Sequence, residues 1–194
     1  ARILKEDNKS AYYNSIYKDI KFFLKAIVLG LIAIMPFAFP ILVDSSYNDA
    51  YIYIPILVIS IYYTNMSNFY GGIFTAYKDT KIMGSTTVMA AVINILINLI
   101  FIPKFGIYAA SFSTLISNML VYFYRRYRLS DYIKLKEKYN FVFWILLITT
   151  LVTYYYNNMA INILMFIIDL AYCIFTNWNF LKKIVEQIIN KLKK

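Results

Sequence analysis

The chain has 194 residues, 61% of them hydrophobic and 15% charged, against roughly 45–50% and about 25% in an average globular chain. It carries a net charge of +10, no histidine and one cysteine, Cys173. This composition points to a membrane protein and excludes an intrachain disulfide, a cysteine-based metal cluster, a His-dependent triad and an imidazole zinc site.

A spanning helix needs about 17–25 mostly apolar residues, and the chain offers six such blocks. Residues 1–19, "ARILKEDNKSAYYNSIYKD", precede them as a cytoplasmic amphipathic connecting segment. With no initiator Met and no signal peptide, this segment reads as joined to something upstream. The first span is predicted from about Ile20 to Val43, with Pro36 and Pro40 expected to kink it, because proline removes a backbone donor. The second runs from about Ala50 to Phe74, the third from Ile82 to Ile102 and the fourth from Phe105 to Tyr124, so that residues 20–128 hold four spans. A break is expected at Pro103-Lys104-Phe105-Gly106. A basic loop over 129–139 leads to an uncharged run, Tyr139 to Ile168, that is too long for one span. Asn157 and Asn158 are expected to divide it into Asn140–Tyr156 and Met159–Asn177, an appended pair over 140–177. The tail, 178–194, reads "WNFLKKIVEQIINKLKK". Its Leu181, Ile184, Val185, Ile188 and Leu192 form an apolar stripe at helical spacing, which suits a helix lying on the inner leaflet or one docking a soluble partner.

Charge sets the expected orientation. With the N-terminus inside, segments 1–25, 75–81, 125–139 and 177–194 hold 19 of the 20 lysines and arginines; Lys104 is left in an outer turn, and Asp44 and Asp49 are also outside. The positive-inside rule then places both termini in the cytoplasm. Lysines clustered between apolar blocks meet anionic lipid, so nucleic acid is not an expected partner.

Polar residues inside the spans carry the functional question. Asn94 and Asn98 share one helical face, with Thr87 further back and Ala90 and Ala91 between. That face is either a hydrated cavity wall meeting sugar hydroxyls or a seam of interhelical hydrogen bonds. Ser111, Thr114, Ser117 and Asn118 in the fourth span show similar spacing, as do Ser60, Thr64, Ser67, Asn68 and Gly71 in the second. Lys21 and Lys25 enter the inner end of the first span, where lysine either snorkels to headgroups or attracts a diphosphate. Asp169 lies mid-span with no cation near it in sequence, a candidate for binding a coupling ion or for a structural bond.

An acidic-aromatic turn (Tyr47 to Tyr51) is followed by a polar-ended helix with "YGGIF" and an inner "KDTK" loop (Lys78 to Lys81). Then come "NILINL", "IPKFGIYAAS" and "TLIS". In that order and spacing, over roughly Ala1 to Arg128, the chain resembles the bacterial polysaccharide-biosynthesis flippases of the multidrug/oligosaccharidyl-lipid/polysaccharide exporter superfamily. The resemblance implies the C-terminal part of a 14-helix, MATE-like two-lobe transporter in a bacterial cytoplasmic membrane. The first four spans would match helices nine to twelve, the last two an appended pair, and the missing N-terminal helices would be partners. It also implies a lipid-linked oligosaccharide as cargo, flipped by alternating access, with no cofactor. Tyr108 departs from the family's "GIxGAA", where a small residue is common. A multidrug or peptidoglycan-precursor exporter of the same superfamily, or a non-transporting membrane subunit, are the alternatives. The short outer loops, with Asp44 and Asp49 as their only carboxylates, lack the acid–base constellation an enzyme would need.

Overall fold

The computed structural model describes residues 6–137 and 139–192, with the side chains of 6–8, 187, 188 and 190–192 left aside. Among these residues the chain is all-helical. Six helices follow in order: α1 (Glu6–Leu42), α2 (Ile54–Ala76), α3 (Lys81–Phe105), α4 (Ile107–Leu129), α5 (Phe141–Tyr156) and α6 (Met159–Leu192). A 3-10 helix, Ser45–Tyr53, stands between α1 and α2. The regions Lys9–Leu42, Ser45–Ala76, Lys81–Phe105 and Met159–Glu186 are long and apolar enough to cross a membrane.

Six spans were expected, and two helices fall short for identifiable reasons. α4 is diluted by Ser, Thr, Asn and Tyr and ends on Arg125, Arg126 and Arg128. α5 has 16 residues, about 24 Å of helix at about 1.5 Å per residue, against a hydrocarbon core of about 30 Å.

The breaks form where backbone chemistry demands them. Gly106 (φ 55°, ψ −134°) lies in a region open to glycine alone and turns α3 into α4. The helix runs through Pro103 to reach it, so the break falls later than the proline. Asn157 caps α5 in the left-handed conformation (φ 52°), and Asn158 Oδ1 accepts from the Ile161 N–H, 3.2 Å, at the start of α6. The predicted division at these two asparagines is therefore present. The second block starts later than expected, because its acidic-aromatic turn is the 3-10 helix. Asp44 caps that helix by accepting from the Ser46 N–H (2.9 Å) and hydroxyl (2.7 Å), contacts that hold its carboxyl below the usual range. α1 stays helical across Pro36 and ends at Leu42, after Pro40.

Two compact units emerge, and they cut across the linear segmentation. One is built on Phe39–Lys138; the other joins Tyr12–Ala38 of α1 to the chain from Tyr139 onward. The first span thus groups with the appended pair.

In the first unit α4 is central: it packs along both α2 and α3, which scarcely meet each other. Its C-terminal end is locked by Arg125, 4% exposed. Nε donates to Thr86 Oγ1 (2.9 Å), Nη1 to the Ser67 carbonyl (3.2 Å), and Nη2 to the Met83 carbonyl (3.2 Å) and Thr87 Oγ1 (3.4 Å). One planar fork thereby ties α4 to α2 and α3. Gly71 leaves the room: a Cβ there would sit 2.9 Å from the Met83 methyl and 3.6 Å from the guanidinium. Below it, Tyr132 donates to Asp79, whose carboxylate raises the phenol above its ordinary range, and Arg126 pairs with Glu137 at 3.0 Å.

In the second unit α6 has 34 residues, about 51 Å, and overruns any hydrocarbon core. Phe180 packs on Phe23 (5.4 Å between rings) and Lys183 pairs with Asp19 at 3.8 Å. The tail therefore continues α6 alongside α1 instead of forming a separate helix at the inner leaflet. Of the predicted stripe, Leu181, Ile184 and Val185 are described, and the side chains of Ile188 and Leu192 lie outside the described residues.

Arg125→Met should lower the unfolding free energy in detergent by about 2 kcal/mol, at about 0.6 kcal/mol for each of its interhelical bonds. Arg125→Lys should recover little of it, since a single ammonium cannot serve α2 and α3 together. Thermal melts followed by circular dichroism check both.

Candidate functional site

The polar residues of α3 and α4 meet along the seam between these helices. Asn94 Nδ2 donates to Ser113 Oγ (3.1 Å) and Thr114 Oγ1 (3.4 Å). Asn98 Nδ2 donates to Asn94 Oδ1 (3.0 Å), and Ser113 Oγ lies 2.7 Å from Asn98 Oδ1. The two asparagines, four apart on one helix, form a closed ring with Ser113 of the next. On the far side of α4, Asn118 Nδ2 donates to Ser60 Oγ of α2 at 2.8 Å.

Beside the ring lies an open pocket of about 290 Å³, lined by Ala90, Ala91, Asn94, Ile95, Thr114, Ser117 and Asn118. The two alanines make its floor space, and Ser117 Oγ is buried without a hydrogen-bond partner among the described residues. An amide, a hydroxyl and a second amide thus border one concavity in otherwise apolar helices. Such a wall can hydrogen-bond hydroxyl-rich matter. Of the two readings of the shared face, cavity wall or hydrogen-bonded seam, Asn98 follows the second: it is taken up by the ring and does not line the pocket.

The other predicted residues divide. Thr64 and Ser111 donate to their own helices, to the Ser60 and Ile107 carbonyls (each 3.1 Å), as hydroxyls in membrane helices often do. Asn68 is exposed on α2. Thr87 donates to the Met83 carbonyl (2.9 Å) and accepts from Arg125, a turn or more from the pocket.

Lys21, Lys25 and Asp169 belong to the second unit. Both lysines are buried. The Lys21 ammonium sits 5.5 Å from the Tyr17 ring centroid, and that of Lys25 sits 4.3 Å from Phe143 and 5.7 Å from Trp144. Cations placed over aromatic faces are stabilised there by the ring quadrupole, so these two are engaged with rings. Asp169 Oδ2 stands 2.7 Å from Thr150 Oγ1.

Three residues escaped the sequence reading: Ser113, Thr86 and Arg125. Arg125 had been counted as a loop charge, yet it lies seven residues after Asn118, two helical turns along the same face. That spacing was the available signal. Tyr108 packs edge-on against Tyr53 with ring centroids 4.8 Å apart. Its bulk is therefore directed to the 3-10 helix segment.

Near the Gly106 turn a second, apolar pocket of about 420 Å³ is lined by Ile97, Phe101, Phe105, Tyr108, Ala109, Phe112 and Ile116.

Replacing Asn94 and Asn98 together by leucine removes four side-chain bonds, three to α4 and one between the asparagines. The expected loss in detergent is about 2 kcal/mol, at about 0.6 kcal/mol per bond, with helix content unchanged. Chemical denaturation against the wild-type chain measures it; a loss near zero would mean the ring does not hold α3 to α4. Comparison with protein-family models, with curated proteins and with solved structures finds no match to this chain, so the chemistry of the seam and its pocket is the ground for a functional reading.

Proposed function

We propose that the chain is part of a membrane transporter that flips a lipid-linked oligosaccharide, a glycan on a polyprenyl diphosphate, across a bacterial cytoplasmic membrane. The observation that carries this reading is the pocket bordered by Asn94, Thr114, Ser117 and Asn118 within membrane-length apolar helices. Amides and hydroxyls can exchange bonds with sugar hydroxyls at little net cost, since each broken bond is replaced by a similar one. The lipid tail stays in the bilayer, and no covalent chemistry on the cargo is required. In the parent protein this unit rocks against helices outside this chain, as repeats do in secondary transporters. The motif order quoted above supports the same superfamily. The 19-to-1 charge distribution supports a cytoplasmic placement of both termini.

One observation favours a second reading, a multidrug exporter of the same superfamily. The pocket around Phe101, Phe105 and Phe112 is apolar and of a size suited to a drug-like molecule.

Deleting the parent gene in its host separates the two. The flippase reading expects assembled lipid-linked repeat units to accumulate on the inner leaflet and surface polysaccharide to fall. Unchanged polysaccharide with heightened drug sensitivity would favour the exporter.

A further inference from the structure

The second unit contains a carboxyl group that the transport reading leaves without a task. Asp169 lies in the middle of α6 and is fully buried, 0% exposed. Its Oδ1 has no hydrogen-bond partner among the described residues. Its Oδ2 stands 2.7 Å from Thr150 Oγ1 of α5, and the same hydroxyl oxygen stands 2.7 Å from the Leu146 carbonyl.

A hydroxyl owns one proton. The carbonyl can only accept, so when Thr150 gives its proton to Leu146, the contact with Asp169 needs a proton from the other side. A neutral Asp169 supplies it: the carboxyl O–H donates to Thr150, and Thr150 donates to Leu146. An ionised Asp169 would claim the Thr150 proton for itself and still leave a charged Oδ1 unpaired in a low-dielectric interior, which is costly.

The neighbouring groups do not change this balance. From α6, Cys173 lies one turn away with Sγ 3.5 Å from the Ala26 carbonyl. From α5, Tyr154 is one turn beyond Thr150 and buried. From α1, the Lys25 ammonium lies over the Phe143 and Trp144 rings. Among the described residues no lysine or arginine lies within ion-pair distance of Asp169.

We propose that Asp169 is a proton-binding site: it is a neutral acid at neutral pH, donating to Thr150, which in turn donates to the Leu146 carbonyl. This stands whatever the cargo is.

Infrared spectroscopy of the chain in lipid nanodiscs at neutral pH, in potassium buffer, tests it. The wild type should show the carbonyl stretch of a protonated carboxylic acid, and Asp169→Asn should lose that band while keeping its helix content. Thr150→Val should keep the band but shift it to that of an acid without a hydrogen-bond acceptor; this decides the matter should Asp169→Asn not fold. Absence of the band in the wild type, or its survival in Asp169→Asn, would overturn the proposal. So would its conversion to carboxylate on exchanging potassium for sodium, which would make the site a sodium ligand.

Discussion

A polar group inside a bilayer has no water to bond, so it must find its partner in the protein. The first unit is organised by that constraint. Arg125 brings five donors into the C-terminal end of α4 and finds hydroxyl and carbonyl oxygens on α2 and α3. Asn94, Asn98 and Ser113 close a ring higher up, and Asn118 reaches Ser60 on the other side. α4 is the least apolar of the long helices for this reason: it is the one the other two are bonded to.

The second unit solves the same problem with aromatic rings and length. Lys21 and Lys25 sit on ring faces of Tyr17, Phe143 and Trp144. α1 and α6 continue past any hydrocarbon core as a paired extension held by Phe23, Phe180, Asp19 and Lys183. Among the described residues, the buried side-chain atoms left unmatched include Ser117 Oγ beside the Asn94–Asn118 pocket, and Asp169 Oδ1 and Asn162 Nδ2 in the second unit. These are the places where a ligand, a proton or water has something to bond.

Much of the helix plan was legible in the sequence because it rests on local chemistry. Gly106 and Asn157 sit where the chain needs a positive φ, and apolar length marks the spans around them. Helix ends inside charged segments were not legible. Lysine and glutamate favour helix nearly as well as alanine does, so α1 and α6 run on where charge suggested a loop or a separate tail. The candidate site was half legible. The i, i+4 spacing of Asn94 and Asn98 gave a shared face, but which of the two would meet the pocket depended on Ser113, a residue of the neighbouring helix. Arg125 was hidden by its sign, because a charge beside a span reads as topology before it reads as structure.

The central claim is that one short stretch of this seam, from Asn94 to Asn118, is wet while the ring around Asn98 is closed. Water-edited solid-state NMR of the asparagine side-chain amides in lipid membranes measures this directly. Transfer from water should reach Asn94 and Asn118 early and Asn98 late or not at all. Three equally dry amides, or an Asn98 signal that rises first, would contradict the account.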